Sequence, residues 1–172
     1  MPELLAAIAE RLRGAGVPFA VIGAAAMSAR GFPRQTLDVD LFTTARGVLG
    51  EAFWQGLPRR GDVRHGDADD PLAGAVRFTD PEIDVVVGRA RWQADAVARA
   101  EPLHIGELIL PVVTLPDLIL LKLDAGGYRD AADVRMMLSG AGAGLAETIE
   151  VALPVLPAEA QQLWREIRMA ER

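Results

Sequence analysis

The sequence predicts an α/β (α+β) protein, with a small mixed β-sheet flanked by helices and a helical C-terminal tail. Three observations carry this. Leu4, Leu5, Ile8 and Leu12 recur at helical spacing near the start. Short apolar or alternating runs, bounded by Gly and Pro, recur between Phe19 and Val113. From Pro116 onward the pattern is helical. A chain of 172 residues is long enough for one domain with a core. The expected division is an α/β core over residues 1–115 and a helical part over 116–172, packed on the core as a single compact unit.

The elements follow in order. Residues 3–13 form a helix that Gly14 and Gly16 stop. Phe19 to Ile22 reads as a short buried strand, and Ala24 to Arg30 as a helix ended by Gly31 and Pro33. Leu37 to Phe42 alternates apolar and acidic residues, which predicts a strand with Asp38 and Asp40 on one face. Val48 to Leu57 is expected to be helical, and residues 58–74, rich in Gly, Asp and Arg, read as an exposed loop or irregular hairpin. Val76 to Phe78 and Ile83 to Val87 read as strands around the turn-like TDPE. Arg91 to Ala100 is expected to be helical, and Leu103 to Ile105 with Leu108 to Val113 a hairpin around Gly106 and Glu107. Pro116 opens a helix running to about Ala125, and Gly126 and Gly127 break it. Arg129 to Leu138 is the next helix, and two more follow Gly144 and Pro157. The pairing order of the strands is not legible in the sequence.

Composition narrows the chemistry. Apolar residues make up 51% and charged residues 24%, the balance of a soluble globular protein. There is no Cys and only His65 and His104, which excludes disulfides and thiolate metal sites and argues against a His-rich zinc site. A metal here would be a hard ion on oxygen. The stretch MPELLAAIAERLRG has no basic n-region and is interrupted by Glu10, Arg11 and Arg13, unlike a signal peptide. No apolar run is long enough to cross a bilayer, so a cytoplasmic location with no membrane partner is expected. The net charge of −6 disfavours a globally basic nucleic-acid binder. The groups Arg59, Arg60, Arg64 and Arg89, Arg91 read as solvated surface or as local patches. Among 17 Arg there is a single Lys, Lys122, inside the apolar run LILLKL.

Asp38 and Asp40 stand in an apolar strand, where burying a carboxylate is costly. Two carboxylates on one face repel unless a cation lies between them. Asp84, in EIDVVV, is a third, and on a neighbouring strand it would converge with the first two. Such a cluster suits Mg²⁺ or Mn²⁺ together with a substrate phosphate, and two ions would brace an in-line attack on phosphorus. Upstream, Gly23 falls at a strand-to-helix turn, where backbone N–H groups can cradle phosphate. A D-x-D pair alone is weak evidence, since most such pairs are surface loop residues and glycosyltransferases carry one too. The order of the features adds weight: strand, Gly, helix, Arg and Thr, D-x-D strand, further strand Asp.

The stretch GVPFAVIGAAAMSARGFPRQTLDVDLF resembles the core of the nucleotidyltransferase superfamily with the polymerase-beta-like fold. It is most similar to the AbiEii-type and related minimal nucleotidyltransferases of toxin–antitoxin and phage-defence systems. The family's turn, R-x-T element and D-x-D match Gly23 with Ala24, Arg34 with Thr36, and Asp38 with Asp40. LPDLILLKLDAGGYRDAADVRMML resembles the downstream block through Lys122, Arg129, Asp130 and Asp133, so the likeness spans about residues 1–140.

The resemblance implies that Asp38, Asp40 and Asp84 hold Mg²⁺ or Mn²⁺ and that Asp84 takes the acceptor proton. It implies that Gly23 and Ala24 cradle a nucleoside triphosphate, with Arg34, Thr36 and Asp133 beside it, and that Lys122 reaches a phosphate. Asp130 joins the catalytic set on the same ground. From the residues alone, Lys122 could equally snorkel from a helix edge. Asp130 and Asp133 could serve as helix-start acids or, for Asp133, as the i+4 partner of Arg129. Ala24 departs from the family's usual Gly or Ser: it lacks a hydroxyl, and its methyl crowds the turn.

The implied reaction moves a nucleoside monophosphate from a triphosphate to the hydroxyl of RNA, a protein or a small molecule. A cognate antitoxin would be a further partner. An RNA acceptor would use Arg30, Arg34, Arg59, Arg60 and Arg64 as its rim, and an aminoglycoside Asp67, Asp69 and Asp70. The competing readings are a non-catalytic nucleotide-binding or partner module of the same fold, which Ala24 favours, and a sugar-nucleotide glycosyltransferase.

Overall fold

The structure is a computed structural model that describes residues 2–32, 34, 38–58, 61–65, 74–142 and 144–170. Two compact units divide at Val113 and Thr114.

The first unit is built on a mixed seven-stranded sheet, larger than the small sheet expected. Its strands are β1 (Ala20–Ile22), β2 (Val39–Thr43), β3 (Val63–His65), β4 (Ala75–Thr79), β5 (Glu82–Val87), β6 (Glu101–Ile105) and β7 (Leu108–Val112), in the spatial order β3-β4-β5-β2-β1-β7-β6. The β2–β5 and β1–β7 pairs are parallel and the others antiparallel. Helices α1 (Pro2–Gly14), α2 (Gly23–Ala29) and α3 (Arg91–Ala98) complete the unit.

Alternation along the strands sorts the sheet into two faces. Val76, Phe78, Ile83, Val85, Val39 and Leu41 are buried and share one face through their cross-strand pairing. The other face carries Arg77, Asp84 and Asp40 at a single level. Trp54 packs edge-on against Phe78 on the apolar face, with ring centroids 5.4 Å apart.

Several boundaries differ from expectation. In place of one helix over Val48–Leu57 there are two 3₁₀ turns, Arg46–Leu49 and Glu51–Trp54. Gly50 between them is extended, with ψ at 134°. The buried Trp54 indole N–H donates to the Val48 carbonyl at 2.6 Å, taking the acceptor that an α-helix would offer to residue 52. Within the predicted loop over 58–74, Val63–His65 pairs with β4 as an edge strand. The strand predicted from Leu37 begins at Val39, so the exposed Asp38 immediately precedes it, and Leu37 lies outside the described residues.

Pro102 and Pro111 face each other across β6 and β7. Two prolines cannot exchange N–H···O bonds, so both ring nitrogens point away from the shared ladder. Pro102 therefore turns its nitrogen to the open edge, and Pro111 turns its own toward β1. The β1–β7 pairing accordingly has one register pair, Val21 with Val112. Arg30, at the end of α2, reinforces this junction. It donates to the Val113 carbonyl at 2.8 Å and to that of Val112 at 3.1 Å, and it pairs with Glu101 at 2.8 Å. Arg30, a candidate for an RNA rim, is thus engaged in holding the hairpin.

The second unit is helical: α4 (Leu115–Ala125), α5 (Tyr128–Gly140), α6 (Leu145–Ala152) and α7 (Ala158–Ala170). Thr114 caps α4, its Oγ1 accepting from the Asp117 N–H at 3.3 Å, and Gly126 ends it in the left-handed region with φ 67°. Leu118, Ile119 and Leu123 of α4, Val134 and Met137 of α5, Ile149 of α6, and Trp164 and Ile167 of α7 are buried. No helix among the described residues is long and apolar enough to cross a membrane.

Candidate active site

The turn from β1 into α2 sets the site. Gly23 has φ 66°, a left-handed conformation that disfavours side chains. Its Cα lies beneath the Asp40 carboxylate, so closely that a Cβ there would stand 2.0 Å from Oδ2. Ile22 pairs with Asp40, and Asp40 pairs with Asp84 across the parallel β2 and β5. Two of the predicted carboxylates thus stand on adjacent strands at one register position, and Gly23 leaves room for that of Asp40. Asp38 lies at the entry to β2, one residue before the strand.

The Asp84 carboxylate is turned toward Arg77. Arg77, its cross-strand partner in β4, donates from Nε to Oδ1 at 2.7 Å and from Nη2 to Oδ2 at 2.5 Å. Glu82 lies 3.7 Å from the same guanidinium. The Arg77 pKa is raised above that of a free arginine, first by its hydrogen bonds to Asp84. Burial opposes this, and the charges of Asp84, Glu82 and Asp40 add to it. The field of Asp40 therefore reaches Arg77. Among the described residues no three Asp, Glu or His side chains converge in a ready-made metal site. The donor set nonetheless suits a hard cation: it is all carboxylate oxygen, Asp40 and Asp84 are in register, and the absence of a Cβ at Gly23 is what lets the Asp40 carboxylate sit against the turn.

Arg77 is the residue that sequence reasoning missed. The signal was available: a two-residue TDPE turn places 78 opposite 83, and hence Arg77 opposite Asp84. At the turn, Ala24 is half-buried at the start of α2, and Arg34 is tied through its backbone to Ser28 Oγ, at 3.5 Å from N and 3.4 Å from O. Thr36 and the rim candidates Arg59, Arg60, Asp67, Asp69 and Asp70 lie outside the described residues.

In the second unit Lys122 is buried rather than reaching from a helix edge. Its ammonium lies 2.9 Å from Asp130 Oδ1 and 2.6 Å from Asp133 Oδ2, so α4 and α5 share one cation between two carboxylates. Asp133 is thereby the partner of Lys122, where an i, i+4 pair with Arg129 was one expectation.

No family model matches the chain, and no curated protein matches it. Solved structures do. The chain is similar to the antibiotic-resistance factor ANT(2'')-Ia at 19% identity, over 88% of this chain and 89% of that one, with a TM-score of 0.57. It is similar to an antigenic nucleotidyltransferase-like protein from Paracoccidioides brasiliensis at 18% identity, over 98% and 88%, with a TM-score of 0.58. It is similar to a candidate nucleotidyltransferase from Thermotoga maritima at 17% identity, over 80% and 92%, with a TM-score of 0.51. At these identities the likeness is one of architecture, and the mixed sheet with its helical C-terminal part is a nucleotidyltransferase-like fold.

Proposed function

We propose that the chain is a Mg²⁺-dependent nucleotidyltransferase that moves a nucleoside monophosphate from a triphosphate to an acceptor hydroxyl. The observation that carries this reading is the pairing of Asp40 with Asp84 on adjacent parallel strands, above the Gly23 turn. Asp38, Asp40 and Asp84 would hold the ion. Bound there, it would neutralise the triphosphate and the charge that builds up on the leaving group. Gly23 and Ala24 would face the phosphates through their backbone. Asp84 would accept the proton as the acceptor oxygen bonds to the α-phosphorus. The bond from that phosphorus to the bridging oxygen breaks, and pyrophosphate leaves with the electron pair. Positioning and charge compensation would supply most of the acceleration.

The acceptor classes are RNA, a protein side chain or a small molecule. A role as the toxin of a toxin–antitoxin or phage-defence pair, in the AbiEii manner, rests on the two sequence blocks around Asp38 and Lys122. The second reading is a non-catalytic module of the same fold. It is favoured by Ala24 at the turn and by the ion pairs that already engage Asp84 and Lys122.

The test incubates the protein with each α-³²P-labelled triphosphate, Mg²⁺ and total bacterial RNA and protein, beside Asp38→Ala and Asp40→Ala variants. Label should enter one acceptor class with wild type only. The Asp40→Ala melting temperature should hold or rise, because a carboxylate beside Asp84 is removed. Triphosphate binding without transfer to RNA or protein would point to the module, or to a small-molecule acceptor absent from the mixture.

A further inference from the structure

The nucleotidyl-transfer reading needs a proton acceptor held in one orientation, and the sheet supplies what could hold it. At one level of the polar face the cross-strand sequence runs Arg64, Arg77, Asp84, Asp40, through β3, β4, β5 and β2. Two cations thus stand toward the sheet edge and two carboxylates toward its middle. Arg77 is the member of the row that touches a carboxylate, and it does so with two parallel bonds at 2.7 and 2.5 Å. The Asp84 side chain is 13% exposed and that of Arg77 34%, so the carboxylate end of the pair is sheltered while the guanidinium is partly solvated.

A carboxylate has about four lone-pair sites. The fork takes one on each oxygen and leaves one on each, with the plane of the group fixed by the plane of the guanidinium. A lysine at this position could supply the charge but not the fork.

We propose that Arg77 is the positioning residue of this site: its guanidinium fork sets the plane of the Asp84 carboxylate beside Asp40, so that the lone pairs it leaves serve the acceptor hydroxyl and the ion. The inference rests on the transfer reading above and adds a residue to it. It also turns around the observation that favours a silent module. The Arg77 pair is then part of the assembled site and stays in place when the site is filled.

Two measurements test this. In the first, Arg77→Lys is assayed for transfer, with its melting temperature recorded. The kcat should fall about 10- to 100-fold, the usual effect of losing a partner that orients a functional group, while the KM for the triphosphate stays as in wild type. Wild-type kcat in Arg77→Lys would overturn the proposal, because charge alone would then suffice. In the second, the Nε–H proton of Arg77 is followed by NMR in the wild-type protein, assigned by its absence from Arg77→Lys. It should exchange slowly with solvent, broaden away in Asp84→Asn, and persist when Mg²⁺ and a non-hydrolysable triphosphate are added. Its loss on that addition would show Arg77 to be a placeholder that substrate expels, and would overturn the proposal. The second measurement needs no activity. If wild type transfers to no acceptor, the transfer reading fails, while the resonance still reports whether Arg77 holds Asp84.

Discussion

A methyl group at position 23 would meet the Asp40 carboxylate at 2.0 Å, and the backbone there has φ 66°. Gly23→Ala therefore carries two penalties. The left-handed conformation costs about 1–2 kcal/mol with a side chain present, and Asp40 must move. Both a lower denaturation midpoint in urea and loss of nucleotidyl transfer are expected. Retention of transfer at wild-type rate would mean that the position of Asp40 over the turn is immaterial. The neighbouring Ala24 is accommodated half-buried at the start of α2, so the departure from a Gly or Ser pair falls on the residue without a positive φ. Part of this was legible in the sequence: the glycine, Asp40 and Asp84 fall together, while Asp38 lies exposed one residue before β2. What was not legible is which way each carboxylate turns. Whether Asp84 faces Asp40 or Arg77 depends on a cross-strand register that no single strand encodes.

Between elements, the Lys122 cluster joins α4 to α5 through one cation and two carboxylates. Lys122→Met would take from the buried Asp133 and from Asp130 the cation they share, and breaking a buried ion pair typically costs about 3–5 kcal/mol. Guanidinium denaturation should show that loss, and Lys122→Met combined with Asp133→Leu and Asp130→Asn should recover most of it. If Lys122→Met were as stable as wild type, the pairing would contribute nothing to the helices, and the phosphate role would gain weight. The helices of this unit follow the sequence closely because their signals are local: Thr114 and Pro116 at one end of α4, Gly126 at the other. The region from Val48 to Leu57 does not. Its apolar spacing permits a helix, but Gly50 and the reach of the Trp54 indole back to Val48 divide it into two tight turns. That reach depends on burial against Phe78, a contact distant in sequence. The edge strand Val63–His65 was legible only as one arm of an irregular hairpin over 58–74, since three polar and apolar residues fix no register of their own.

Across the whole sheet, β6 forms an outer edge, and Pro102 presents a ring there in place of a hydrogen-bond donor. Edge prolines limit strand-to-strand association between molecules. Pro102→Val restores a donor and adds a strand-forming side chain. Light scattering at fixed concentration should show faster aggregation for this variant, and equal rates would assign the protection to other features of the edge. The strand order itself, which sets this edge, could not be read from the sequence. It depends on the parallel β1–β7 and β2–β5 pairings, whose partners are far apart in the chain.

The same pair of prolines has an effect on the inner side. With Pro111 offering no amide to β1, the β6–β7 hairpin joins the other five strands through one register pair, and Arg30 at the end of α2 and Arg13 of α1 clamp it through its carbonyls. The sheet is continuous in outline but has a seam. In deuterated water, the amides of β6 and β7 should exchange as a group, ahead of those in β2 and β5, and Arg30→Met should widen the gap. The first unit would then open leaf by leaf, with the aspartate-bearing strands in the leaf that closes first and opens last.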